Sequence, residues 1–243
     1  MSTHYREFAP SDRLKQFVDC FWTVDPAGAH REYPVLPDGC VDIVYSPSVA
    51  RGLQLVGTMT TARKFAISAG DVQFGVRFRP AMSRSFLPLP GLDTLDQLIA
   101  LSDVWGAPAG RLAEQIAEAR SAEQCIGLIE ARLANPTDIT VVQRICTSIV
   151  EQSGQLRIDD LAFHAGFSTR QLRRLFLEQV GLSPKHFCRV IRFQSSLSRL
   201  SKRGRADWAQ VAVDCGYYDQ AHFINEFRQF SGYTPGEFAA LAR

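Results

Sequence analysis

The sequence predicts an α+β protein: a small antiparallel sheet or partial barrel with helices, followed by an all-α domain of two helix-turn-helix units joined by a linker helix. Short β-like runs broken by proline and glycine fill the first part of the chain, and helical periodicity takes over from about residue 92. One pattern then occurs twice in the last hundred or so residues, which indicates a repeated unit. At 243 residues the chain is long enough for two domains, which we place at 1–139 and 140–243.

The first domain is predicted to be β-rich and then helical. Its candidate strands are 21–24, 41–45, 53–57 and 74–78, and the residues that separate them are Pro34, Pro37, Gly39, Pro47, Gly52 and Gly70. Beyond Pro90 the apolar residues recur at helical spacing, first at Leu95, Leu98, Ile99 and Leu101 and then from Leu112 to Leu133. The segment Asn135-Pro136-Thr137 is the predicted connection to the second domain. The order of the strands does not follow from these patterns.

Two arginines near the end of the last candidate strand suggest a ligand site in the first domain. Arg77 and Arg79 share one face of the sheet, where with Asp42 they could hold a carboxylate or phosphate by bidentate hydrogen bonds. The alternative is that they lie on an exposed sheet face or pair with Asp38 and Asp42, and we favour this structural role. Asp38-Gly39 is itself a strong tight-turn signal before a strand.

The repeated pattern begins with LAFHAGFS at 161–168 and returns as VAVDCGYYD at 211–219. Ala162 and Ala212 are small where two helices must cross closely, and Gly166 and Gly216 stand where the first helix ends and a positive φ is needed. The second copy has one extra residue, Tyr218, before the next helix. Two such units in tandem are typical of a sequence-specific DNA-binding protein.

The second helix of each unit is predicted to have one buried face and one free face. Leu172 and Phe176 recur at helical spacing in the first unit, as do Phe223 and Phe227 in the second. The free faces carry Arg170, Gln171, Arg173 and Arg174 in the first unit and Gln220, Ala221, His222 and Asn225 in the second. Guanidinium groups suit guanine or phosphate, amides suit adenine, and an alanine methyl suits the thymine methyl. A lone charged helix face is usually only solvated, but two copies with the same core spacing favour DNA reading.

Both second helices begin with a residue suited to capping. The side-chain oxygens of Ser168 and Asp219 can accept from the free amide groups of the first helical turn, worth about 1 kcal/mol each. We therefore predict these two residues as helix caps near the DNA phosphates.

The stretch from about Ile145 to Leu241 resembles the two-unit DNA-binding domain of AraC/XylS-type bacterial transcription regulators. The most specific residues are GLSP at 181–184 and YYDQAHF at 217–223. The resemblance implies seven helices, with a linker helix from about Pro184 to Ser201 that sets both recognition helices on one face of the DNA. It also implies base-reading roles for Arg170, Arg173 and Arg174, and for Gln220, Ala221, His222 and Asn225. Because the family commonly has arginine where this chain has Asn225, we expect the first unit to dominate affinity.

The first domain carries a second, shorter resemblance. LPDGCVD at 36–42 and GVRFRP at 75–80 resemble the short N-terminal domain of one branch of AraC-like regulators, which implies a sensing or assembly module. The chain is thus interpreted as a cytoplasmic transcription regulator, for instance an activator, that binds promoter DNA. Further candidate partners are RNA polymerase, a small-molecule effector and a second copy of the chain. The alternative is a regulator without an effector, governed by its abundance.

The charge distribution agrees with this interpretation. Residues 1–139 contain 13 basic and 16 acidic residues, and residues 140–243 contain 14 basic and 9 acidic ones, so the positive charge lies in the second domain. Binding to DNA should therefore weaken with salt, by about 0.9 log units per log unit of salt for each phosphate neutralised.

Enzymatic alternatives rest on few residues. The six cysteines are scattered singly, as expected of small buried residues in a cytoplasmic protein, and only Cys188, beside Arg189, is a candidate for a DNA-repair alkyltransferase. A metal-dependent enzyme would need His30, Glu32, Asp38, Cys40 and Asp42, whose spacing fits no ligand pattern. Because no phosphate-binding loop, nucleophile elbow or dinucleotide fingerprint is present either, we predict no catalytic residues, metal or cofactor. No stretch approaches the 18 or so apolar residues of a membrane span.

Overall fold

The computed structural model describes residues 4–26, 31–49, 52–202 and 208–241. Within these ranges the N-terminal part contains the following strands: β1 (His4–Phe8), β2 (Val18–Asp25), β3 (Arg31–Val35), β4 (Val41–Tyr45), β5 (Leu53–Val56), β6 (Arg63–Ile67), β7 (Gln73–Phe78) and β8 (Leu98–Ala100). They form an antiparallel six-stranded sheet in the order β1-β2-β7-β4-β5-β8 and a two-stranded sheet of β3 and β6.

The predicted strands appear where the alternation of apolar residues placed them, as β2, β4, β5 and β7. Ile43 is paired with Val76 on one side and Leu55 on the other, so these three apolar residues form a row across the sheet. All three are at most 1% exposed and share a core with buried residues of the helices α3 (Ala107–Glu118) and α4 (Ala122–Arg132). The sheet is thus covered by helices on this face.

One element differs from the sequence prediction. Leu98 and Ile99 were expected on a helix, but they lie in β8, which pairs with β5 through Leu55 and Ile99. Leu95 packs against the core of the second domain and Leu101 is buried in that of the first, so the apparent helical spacing joins residues that serve different cores. The helical prediction for this segment was therefore wrong.

The helices of the first domain are short except for α3 and α4. Ahead of those two lie α1 (Gly91–Thr94) and α2 (Ser102–Trp105), and a single turn of 3-10 helix spans Met82–Ser85. Trp105 is partly buried, and the guanidinium carbon of Arg132 lies 4.3 Å from its ring centre.

The second domain has the implied number of helices in the described residues. They are α5 (Val141–Glu151), α6 (Ile158–His164), α7 (Thr169–Val180), α8 (Pro184–Lys202), α9 (Trp208–Asp214), α10 (Gln220–Ser231) and α11 (Pro235–Leu241). The linker helix is α8, and it starts at the predicted proline. None of the described helices has the length and apolar character needed to cross a membrane.

The two parts of the chain pack closely against each other. A Cβ atom built on Gly91, at the start of α1, would lie 2.2 Å from the backbone nitrogen of Gly181, at the end of α7. The side chain of Gln143 on α5 donates to the carbonyl of Ala81 at 3.2 Å and to the hydroxyl of Ser85 at 3.0 Å. The first domain therefore contacts α5 and the C-terminal end of α7.

Candidate nucleic-acid interface

The first helix-turn-helix unit consists of α6 and α7, and the preceding helix α5, which packs against α7, is counted with it. Gly166, in the turn between them, has a φ of 71°, and the next residue, Phe167, donates its amide to the carbonyl of Ala162 at 2.9 Å. Ala162 is 2% exposed, so its small side chain lies where the helices cross. The glycine and the alanine thus play the predicted roles.

The cap of α7 uses Gln171, which was predicted to lie on the DNA-binding face of the helix. The hydroxyl of Ser168 accepts from the amide of Gln171 at 3.3 Å, and the Gln171 side-chain oxygen accepts in return from the amide of Ser168 at 2.9 Å. This reciprocal capping box engages the carbonyl end of the Gln171 side chain. Gln171 is therefore first a capping residue.

The free face of α7 presents arginines to solvent. Leu172 and Phe176 are fully buried, while Arg170, Arg173 and Arg174 are exposed. These three arginines are spaced three and four residues apart, so they lie on one side of the first two turns of a helix whose N-terminal amides also favour anions. The predicted DNA-contacting residues are thus brought together on one accessible surface.

The second unit repeats this arrangement in α9 and α10. Gly216 has a φ of 73°, and the carboxylate of Asp219 accepts from the amide of His222 at 2.7 Å, which caps α10. Phe223 and Phe227 are fully buried. The predicted reading residues are all exposed: Gln220, Ala221, His222 and Asn225.

His222 is held from two sides. Its ring meets the ring of Tyr217 edge-on, with 5.4 Å between centres, and its Nε2 lies 3.8 Å from a carboxylate oxygen of Glu226. Burial raises the pKa of the Tyr217 hydroxyl, so this tyrosine is neutral at physiological pH. The imidazole therefore has a preferred position at the rim of a cleft, of about 600 Å³, between α10 and α8.

Two exposed aromatic residues were given no role by the sequence reasoning. Tyr218 is 92% exposed directly before the cap of α10, and Phe163 is 81% exposed on α6. The signal for Tyr218 was present in the sequence, because it is the extra residue of the second copy.

The arginines of the first domain make internal contacts. Arg77 Nε lies 3.3 Å from Asp42 and 3.6 Å from Asp38, and Arg79 pairs with Asp19 at 3.3 Å. Burial raises the pKa of Asp42 to about 6, against the opposing charge of Arg77. Arg77 and Arg79 thus form ion pairs with neighbouring carboxylates. These pairs engage the guanidinium groups that would otherwise bind an anionic ligand.

The cysteines lie in settings that keep them protonated. Burial raises the pKa of Cys188 to about 11, and its side chain is 3% exposed inside the C-terminal core. A protonated buried thiol is a poor nucleophile, which disfavours the interpretation of the chain as a DNA-repair alkyltransferase. Within the described residues no group of three or more histidine, cysteine or carboxylate side chains is placed to hold a metal, and His30 lies outside those residues.

Two family models match separate stretches of the chain. Residues 161–240 match the model of a helix-turn-helix domain, and residues 6–100 match that of a domain of unknown function, DUF6597. Each match covers less than half of the chain.

The similar curated proteins are transcription regulators. The chain is 27% identical to the HTH-type transcriptional regulator ArgR of Pseudomonas aeruginosa, over 60% of this chain and 46% of the relative. It is 35% identical to the HTH-type transcriptional regulator MtrA of Neisseria gonorrhoeae, over 33% of this chain and 27% of the relative. It is 32% identical to the F1 operon positive regulatory protein of Yersinia pestis, over 37% of this chain and 30% of the relative. The chain thus spans less than half the length of these relatives.

Solved structures give a further comparison. ToxT from Vibrio cholerae aligns over 99% of this chain and 97% of its own, with 13% identity and a TM-score of 0.45. A DNA-binding transcriptional dual regulator from Escherichia coli K-12 aligns over 44% of this chain and 96% of its own, with 25% identity and a TM-score of 0.37.

Proposed function

We propose that this chain, whose C-terminal part carries an AraC-type double helix-turn-helix domain, is a sequence-specific transcription regulator that reads promoter DNA with α7 and α10. The resemblance to AraC/XylS-type regulators is confirmed by the family match at residues 161–240 and by the regulators among the relatives. The two domains divide near residue 139, between the end of α4 and the start of α5. The site of action is the bacterial cytoplasm, where the promoter is.

A single observation carries the proposal: both recognition helices bury matching aromatic or leucine residues and leave polar residues free. Arg170, Arg173 and Arg174 supply guanidinium donors for guanine and phosphate in one major-groove segment. Gln220, Ala221, His222 and Asn225 supply amide, methyl and imidazole contacts in the next segment. A protein with two such helices can recognise a bipartite site as a monomer.

The proposed function is not enzymatic. The buried, protonated thiol of Cys188 supports this, since an alkyl acceptor must be an accessible thiolate. RNA polymerase is the natural partner of a regulator bound at a promoter.

The first domain controls DNA binding through its contact with α7. Pro90, Leu92 and Asp93 line one wall of a cleft of about 490 Å³, and Arg170, Arg173 and Arg174 lie on the other. A helix with its side chains is about 10–12 Å across and fills a major groove about 12 Å wide. The first-domain segment beside α7 therefore occupies space that the DNA backbone would need. The docked first domain therefore lowers DNA affinity, and an effector or a second copy that shifts this domain raises it.

The alternative, a regulator governed only by its abundance, makes a different prediction for ligands. A metabolite that binds the folded chain stabilises it by about 2.7 kcal/mol at a hundred times its dissociation constant. A thermal-shift screen against small carboxylates, phosphates and amines would reveal such an effector, and a screen without any shift favours the alternative.

Selection of DNA tests the function itself. The purified chain is incubated with fragments of the source genome at fixed salt, and bound fragments are sequenced. We expect a bipartite site whose halves are about one helical turn apart. Retention of fragments without a common site, at the same affinity as random DNA, would count against sequence-specific regulation.

A further inference from the structure

The linker helix α8 contacts both helix-turn-helix units through two arginines that lie one turn apart. Arg189 Nε is 2.5 Å from a carboxylate oxygen of Glu226, and Arg189 Nη2 donates to the side-chain oxygen of Gln229 at 2.6 Å. Both partners belong to α10. Arg192 Nη2 donates to the carbonyl of Gly154, just after α5 in the first unit, at 3.2 Å. Arg189 therefore holds α10, and Arg192 holds the segment that follows α5.

The Glu226 end of the contact with the second unit is buried. Glu226 is 4% exposed, although it lies on the same helix as the reading residues, and the side chain of Arg189 is 27% exposed. The Arg189 guanidinium also lies 5.3 Å from the ring centre of Phe230, in the core of the second unit. Replacing a buried ion pair by apolar side chains is often neutral or stabilising, so the pair is weak evidence for stability and is a candidate for fixing one geometry.

The contact with the first unit involves backbone. A Cβ atom on Gly154 would lie 2.2 Å from the carbonyl oxygen of Cys188, so the end of α5 rests directly on α8. The Arg192 guanidinium carbon lies 5.4 Å from the ring centre of Tyr217, which precedes α10. The first unit thus contacts α8 by close backbone packing, whereas the second contacts α8 through charged and aromatic side chains.

We propose that Glu226 and Arg189 are positioning residues that set the separation and rotation of α10 relative to α7, and thereby the half-site spacing that the protein accepts. This inference rests on the proposed function. Inserting one base pair moves a half-site about 3.4 Å along the DNA axis and roughly 35° around it, so a rigid pair of helices distinguishes spacings sharply. The Glu226–Arg189 pair is the charged link between α10 and the linker helix, beside the contacts that Gln155 and Arg199 make with Asp214 of α9. Because Glu226 also lies 3.8 Å from His222, the readout is the spacing preference and not the overall affinity.

The test measures binding to duplexes in which the selected half-sites are moved apart or together by one or two base pairs. Glu226→Gln removes the charge and keeps the shape of the side chain. We expect its preference for the native spacing over a one-base-pair change to fall by about tenfold, which corresponds to about 1.4 kcal/mol. The double variant Arg189→Met with Glu226→Leu removes the ion pair without leaving a buried charge, and it gives the same readout if Glu226→Gln does not fold.

Lys185→Ala is the matched control, because Lys185 is exposed, lies on α8 and lines the same cleft. Its loss should lower affinity for every spacing by the same factor. Folded Glu226 variants that keep the wild-type spacing preference would overturn the proposal. A wild-type chain that binds none of the duplexes specifically would instead contradict the proposed function.

Discussion

At the scale of single residues, the arginines separate into structural and DNA-facing groups according to their partners. Arg77 is enclosed by Asp38 and Asp42, whereas Arg170, Arg173 and Arg174 project from a capped helix into solvent. The sequence favoured a structural role for Arg77 but did not place its partners, because Asp42 comes beside Arg77 through the pairing of β4 with β7.

Arg173→Ala tests the reading face of α7. We expect a loss of about 1–3 kcal/mol in specific binding and relaxed sequence preference in one half-site, because a bidentate contact to a base is removed. Fluorescence anisotropy at constant salt measures it. Arg111→Ala, which removes an exposed charge from α3, is the control and should leave binding unchanged. Equal effects of the two substitutions would exclude a specific role for Arg173.

Asp42→Asn tests the buried carboxylates of the first domain. The pKa of Asp42 is raised from 3.8 to about 6, so the folded chain keeps a proton that the unfolded chain releases between these values. The free energy of unfolding should therefore fall as pH rises from about 4 to about 6, and the fall should be smaller in the variant. Urea unfolding at a series of pH values measures this slope. An unchanged slope would show that Asp42 is ionised throughout.

At the scale of elements, the features that depend on residues close in sequence were predicted correctly. The caps Ser168 and Asp219, the turn glycines and the extent of α8 followed from the sequence, since each depends on neighbours within a few residues. β3 and β8 did not follow. β3 contains Pro34, which is tolerated because β3 pairs with β6 alone among the described strands. β8 is defined by its register with β5.

Asn225→Arg tests whether α10 is the weaker DNA-binding element. The new cation lies on the free face of the helix, so we expect tighter binding and a salt dependence steeper by about 0.9 for one more phosphate neutralised. Gln115→Arg adds the same charge to an exposed position of α3 and should change neither quantity. An unaltered salt dependence in Asn225→Arg would indicate that this face does not approach the DNA backbone.

At the scale of the whole molecule, the first domain rests on the recognition helix of the first unit. Glycines at both sides of this contact, Gly91 and Gly181, allow the two backbones to approach more closely than any Cβ atom permits. Because the two cores share this boundary, with Ala81 buried among residues of the second domain, movement of one domain reaches the other.

Gly91→Ala tests control by the first domain. The added methyl group would meet the backbone of Val180 and Gly181 at 2.2–2.7 Å, which separates α1 from α7. We expect DNA affinity to rise, because the flank of the reading helix is uncovered. Gly127→Ala on α4 is the matched control, since a Cβ there meets nothing within 4 Å. Unchanged or weaker binding by folded Gly91→Ala would contradict an inhibitory contact.

The most direct test of the central claim is the selection of genomic fragments by the wild-type chain beside Arg173→Ala and His222→Ala. Two helices that read successive grooves predict a bipartite site in which each variant alters the sequence preference of a different half. Loss of preference in the same half by both variants, or a wild-type site with only one half, would contradict an account in which α7 and α10 read DNA together.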